Sequence, residues 1–215
     1  MSDSPLLPPI PSPEVKPGPA TVPPGPPSVA STITGAILVA AVIFAVTLTI
    51  GWFATIQDPT LGEQIISAFE KDVAGHIVGN SSLEIFAQLF FNNFEACILL
   101  FLGGASLGIL TIFILSLNGI VIGSILEIVS KDHSPLFVAA AIVPHGIFEI
   151  PAFIISCALG LLLAQALIGE WVQNGDAAET GRKLGRYFIL YVLPLVVIAA
   201  YVEAFITPVV IHLVS

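Results

Sequence analysis

Residues 83–129 read LEIFAQLFFNNFEACILLFLGGASLGILTIFILSLNGIVIGSILEIV, 47 almost uninterrupted apolar positions without a lysine or arginine. As one helix the stretch would be about 70 Å long at 1.5 Å per residue, against a bilayer hydrocarbon core of about 30 Å. It therefore has to cross twice. The natural break is Leu102-Gly103-Gly104, where two glycines permit a tight reversal, which predicts spans over 84–102 and 104–129. A glycine-rich kink in one continuous helix is the competing reading.

The rest of the 215-residue chain follows the same pattern. It is 56% hydrophobic and 10% charged, with a mean hydropathy of +1.00, far more apolar than a soluble domain. The expectation is an all-α polytopic membrane protein of about five transmembrane helices, organised as one helical domain over 31–215 behind a tail. Residues 1–30 hold eleven of the seventeen prolines, a composition that favours disorder or polyproline II, and their PxxP matches are expected by chance. The run 33–56 is long enough to span, while 57–82 gathers Leu61, Ile65, Ile66, Phe69, Val73 and Ile77 on one side of a helix suited to the membrane interface. A last span is predicted from Tyr187 to Leu213. Arg182, Lys183 and Arg186, just before it, place that loop in the cytoplasm and, with five spans, the N-terminus with it.

Segment 136–167 is again too long for one untilted crossing and contains Pro144-His145-Gly146-Ile147-Phe148-Glu149-Ile150-Pro151. The expectation is a helix broken at Pro144, with a short re-entrant piece at 135–143 and a spanning helix starting at the proline. His145 and Glu149 then share a face four residues apart, and Ala152, Ser156 and Gly160 continue it, small enough for a neighbouring helix to approach closely. A charged side chain at bilayer depth costs about 2.5–3.5 kcal/mol on insertion scales, so such groups tend to face protein and to mark function.

Two more carboxyls fall inside spans, Glu95 with Asn92 one turn before it, and Glu203 with Thr207 one turn after it. Only His145 is a deep cation among them. A buried polar network or an ion or solute site is therefore expected from His145, Glu149, Glu95, Glu203, Asn92, Asn93 and Asn118. On the third span Gly104, Gly108, Thr111, Leu115, Asn118 and Ile122 share a face that reads as a packing surface, within one chain or across a homodimer, and Gly104/Gly108 and Gly119/Gly123 each fit GxxxG. Cys97 and Cys157 read as buried structural thiols. A single nearby histidine without an HExxH pattern implies no metal, and no nucleophile elbow, phosphate loop or cofactor fingerprint suggests an enzyme or a bound cofactor. A net charge of −9 with six scattered basic residues argues against nucleic acid.

Taken in order, Asn92-Asn93, the glycine-rich turn and stripe to Asn118-Gly119, Pro144-His145-Gly146, Glu149-Ile150-Pro151-Ala152 and Glu203 before Thr207-Pro208 resemble the stage II sporulation protein M family. The resemblance runs from about residue 33 to the C-terminus and implies five helical spans. The family's namesake is a membrane component that recruits peptidoglycan-remodelling proteins during engulfment and is not known as an enzyme. The expected function is thus a non-enzymatic membrane protein that assembles or anchors protein partners in the bilayer. The alternative is a small transporter or channel for protons, ions or a small solute that uses the buried His/Glu cluster.

Overall fold

The computed structural model describes residues 29–72, 81–173 and 175–214, and every regular element in them is helical. The elements are α1 (Val29–Gln57), α2 (Pro59–Asp72), α3 (Ser82–Leu102), α4 (Ile109–Asp132), α5 (Pro135–Gln173) and α6 (Ala177–Val214). Five of them, all but α2, are long and apolar enough to cross a membrane. The proline-rich stretch 1–28 and the residues Val73, His76 and Ile77 lie outside the described residues.

Start signals in the sequence set two of the helices. Ser81 caps α3 in a reciprocal box: its amide donates to Glu84 Oε2 at 2.8 Å and its hydroxyl accepts from the Glu84 amide at 3.4 Å. Asp176 accepts from the Glu179 amide at 2.7 Å and starts α6 ten residues before the expected Tyr187, so Arg182, Lys183 and Arg186 lie on its first turns.

The reversal between α3 and α4 falls later than Gly103-Gly104. Those glycines open a 3₁₀ turn over Gly103–Ser106, and the chain turns back at Leu107 (φ 58°) and Gly108 (φ 85°). Ser106 ties the corner, donating to the Gly103 carbonyl at 2.6 Å and accepting from the Leu110 amide at 2.9 Å. Gly103 and Gly104 serve close packing instead: a Cβ on Gly104 would collide with the Gly160 carbonyl of α5.

The expected break at Pro144 is also corrected. Helix α5 runs unbroken for 39 residues through both Pro144 and Pro151. A proline deletes one helical hydrogen bond without forcing the chain to stop, and a long helix surrounded by others retains its path. No re-entrant piece forms at 135–143. α5 is the hub of the bundle, in contact with α1, α3, α4 and α6, and buries Ala152, Phe153, Ser156, Cys157, Ala158, Leu159 and Gly160 around its circumference. Phe153, 2% exposed, is the largest side chain of this core.

The α4 glycine stripe packs within the chain. Cβ atoms on Gly119 and Gly123 would strike Thr47 and the Leu48 carbonyl of α1, and one on Gly51 would strike the Ile120 carbonyl of α4. Backbones touch along this seam, and Ser124 Oγ donates across it to the Gly51 carbonyl at 3.4 Å. Asn118 donates to the Ile114 carbonyl of its own helix at 2.9 Å and bridges no helices.

Candidate functional site

Three helices meet at the site. Gly160 lets α3 lie against α5, since a Cβ there would meet the Leu100 carbonyl, and the Thr111 hydroxyl donates to that same carbonyl at 2.9 Å. α6 closes the third side with the small residues Ala200 and Ala204, packed beside Leu89, Phe86 and Phe90 of α3. Where these faces converge, His145 and Glu149 of α5 and Glu203 of α6 each bring a ligand-capable atom within 4.8 Å of the others, all three half-buried. Asn93, 5% exposed on α3, lies within reach of the Glu149 carboxyl.

The backbone around these groups is irregular on both helices that carry them. Glu203 stands in a π turn, Val202–Ile206, in which the Thr207 amide donates to the Val202 carbonyl five residues back. The extra residue re-aims Glu203 toward α5, a use of π turns common at functional sites. Pro144 and Pro151 leave the Ala140 and Ile147 carbonyls without their usual helical donors, the first about one turn before His145 and the second between His145 and Glu149. A second π turn, Phe188–Val192, lies nearer the start of α6, where Phe188 stacks on Phe101 of α3.

The cluster is not a closed hydrogen-bonded knot. Among the described residues the ion pairs are Lys131–Glu127 and Lys183–Glu179, so His145 forms none with either carboxyl. His145 Nδ1 and the hydroxyl of Thr207, 6% exposed one turn beyond Glu203, are buried with no hydrogen-bond partner. Ser156 Oγ, fully buried, lies near the Cys97 thiol without the alignment of a hydrogen bond.

Four residues of the expected network thus come together: His145, Glu149, Glu203 and Asn93. Asn92 sits half-buried on the neighbouring face of α3, and Asn118 bonds within α4. Glu95 is the clear departure, because it is exposed on the side of α3 away from Asn93 and Cys97. The carboxyl that is buried in its place is Glu127, 6% exposed and paired with Lys131 at 3.2 Å, a pairing its i,i+4 spacing could have revealed. Gly146 packs only loosely between Ile142 and Ile150. Cys97 and Cys157 are buried free thiols.

The donor set can be assessed on chemistry alone. One imidazole and two carboxyls suit a divalent transition ion, and two carboxyls this close in low-dielectric surroundings draw a cation, proton or metal, between them. That differs from the sequence expectation of no metal, which saw a single histidine and could not place Glu203 beside it.

The family model for stage II sporulation protein M matches residues 40–208. The chain belongs to the stage II sporulation protein M family. The matched region contains all four clustered residues and the whole of α3 to α5, and the family is not known as an enzyme family. Two uncharacterized proteins of Methanocaldococcus jannaschii are similar to it. One is 30% identical over 126 residues, covering 57% of this chain and 71% of the relative. The other is 28% identical over 153 residues, covering 68% of each. No solved structure matches the chain. This member of the family is a multi-pass membrane protein by its five membrane-length helices.

Proposed function

We propose that this protein handles a cation, a proton or a divalent metal ion, at the site formed by His145, Glu149, Glu203 and Asn93, and acts as a small non-enzymatic transporter or channel. The observation that carries the reading is that three ionisable groups from two helices converge within 4.8 Å without pairing with one another. A purely structural network is stabilising when its members satisfy each other, and a half-satisfied one is costly. Irregular backbone flanking buried ionisable groups is the arrangement by which many membrane transporters hold ions. The basic residues at the start of α6 favour an orientation with the α5–α6 turn, the Leu107–Gly108 reversal and the N-terminus in the cytoplasm.

The test is flux. Purified full-length chain in liposomes, loaded with a pH-sensitive dye or a manganese-quenched dye, is expected to pass protons or Mn²⁺ faster than empty vesicles. Glu149→Gln and Glu203→Gln are expected to lower the rate about tenfold or more, equivalent to about 1.4 kcal/mol. Rates equal to those of empty vesicles for both species would contradict the proposal.

A second reading, that the protein assembles partner proteins in the bilayer, is favoured by a different observation: Glu95 faces outward from the bundle. It predicts that His145→Ala and Glu149→Ala weaken complexes or stability while leaving vesicles as tight as controls.

A further inference from the structure

The site does not sit midway along the bundle. On α5, which runs Pro135–Gln173, His145 is about 15 Å from the start of the helix and Glu149 about 36 Å from its end at 1.5 Å per residue. On α6, Arg182, Lys183 and Arg186 hold the first turns outside the hydrocarbon. The about twenty residues that cross the core from Tyr187 end near Thr207, one turn past Glu203. The cluster thus belongs to the end of the bundle where α3 starts and α6 finishes, the far end from the basic residues.

Its two sides are packed differently. Toward the basic end, Phe153 and Cys157 of α5, Cys97 and Leu100 of α3, and Val192 and Val196 of α6 are at most 2% exposed and form one apolar cluster. Ser156, beside Cys97, is enclosed with them. Toward the far end the faces bearing the site continue through Ala141 of α5 and Ile211 of α6, one turn beyond His145 and Thr207, and both are half-buried. Two unpartnered polar atoms lie on this side, His145 Nδ1 one turn before Glu149 and Thr207 Oγ1 one turn after Glu203. Acyl chains offer these atoms nothing, whereas water can bond to both. The charge at the far end also suits a cation: Asp58, Glu63, Glu84 and Asp132 are exposed there, and Lys131 is paired with Glu127.

We infer that the cation enters and leaves the site from the far end, past Ala141 and Ile211, and that the apolar cluster around Phe153, Leu100 and Val196 closes the other side. The inference rests on the cation reading and narrows it. A chain open at one end is a transporter, which has to part this cluster before the ion can pass on, and not a standing channel.

Native Cys97 and Cys157 report on the closed side, and Ala141→Cys and Ile211→Cys, made separately, report on the open one. The full chain in nanodiscs, reachable from both faces, is treated with the cationic thiol reagent trimethylammonioethyl methanethiosulfonate, and adducts are located by mass spectrometry. Positions 141 and 211 are expected to react at least about tenfold faster than either native thiol, because an enclosed thiol is inert, and to react more slowly when Mn²⁺ is present. Cys97 or Cys157 reacting as fast as the two reporters would put water in the core and overturn the inference. Unreactive reporters in a chain that still moves protons or Mn²⁺ would overturn it too, with the cation reading intact. Reactive reporters indifferent to Mn²⁺, in a chain without flux, would remove the cation reading and this route with it.

Discussion

The α1–α4 seam and the α3–α5–α6 junction are both built from small residues that bring helices close, yet they treat polar groups in opposite ways. At the seam, Gly51, Gly119 and Gly123 put backbone against backbone. Every hydroxyl there has a carbonyl: Thr47 donates to Ile43 at 2.9 Å, Thr55 to Gly51 at 3.0 Å and Ser124 to Gly51 at 3.4 Å. At the junction the same close approach surrounds His145, Glu149 and Glu203, which leave bonding capacity unused, and the helices bearing them carry four internal prolines, Pro144, Pro151, Pro194 and Pro208, and two π turns. Satisfied polar groups and regular helices mark a surface built to hold. Unsatisfied groups beside irregular backbone are what the proposed cation binding rests on.

That contrast can be broken at its strongest point first. Gly119→Leu or Gly123→Leu should force α1 from α4 and destabilise the bundle by about 3 kcal/mol or more, since the collision is with backbone or with a hydroxyl fixed against it. Unfolding in mixed micelles measures it, and wild-type stability would mean that the seam is loose. Glu149→Gln and Glu203→Gln come next and should behave oppositely, keeping or raising stability while lowering cation flux about tenfold. A loss of stability without loss of flux would make the junction another seam.

Smaller effects sharpen the same division. Thr111→Val removes the hydroxyl that serves the Leu100 carbonyl beside Gly160, and should cost about 1 kcal/mol in the same unfolding assay without altering flux. The smallest effect is expected at Asp58, outside the spans, where the Thr60 hydroxyl and the Thr60 and Leu61 amides donate to its carboxylate and hold it below the usual aspartate range. A depressed pKa gives stability that is present above the unfolded value and lost as pH falls through the folded one. Acidification into that range should therefore speed amide exchange at Thr60 and Leu61 and leave α3 and α5 unaffected.

Much of this was legible in the chain. Lengths of apolar runs gave five crossings because the bilayer fixes how many residues a span needs, and the His145/Glu149 spacing placed that pair on one face. Local rules misplaced the details. Gly103-Gly104 has the look of a turn, but the reversal needs positive φ, which falls at Leu107 and Gly108, and the paired glycines answer to Gly160 on another helix. Pro144 has the look of a helix start, yet the packing of α5 against four neighbours outweighs one lost hydrogen bond. The π turn that brings Glu203 in has no sequence signal at all. Glu95 could have been placed: once Leu89, Asn93, Cys97 and Leu100 are recognised as the inward stripe of α3, helical periodicity puts residue 95 on the opposite side.

The central claim is that the junction binds a cation, and infrared difference spectroscopy of the full chain in lipid nanodiscs tests it most directly. A carboxyl band should shift as pH crosses the range where carboxyls and imidazoles titrate, or on addition of Mn²⁺. It should disappear in the Glu149→Gln, Glu203→Gln double variant and persist in Glu95→Leu. A carboxyl spectrum that responds to neither protons nor metal, or a response that survives the double variant, would contradict the account.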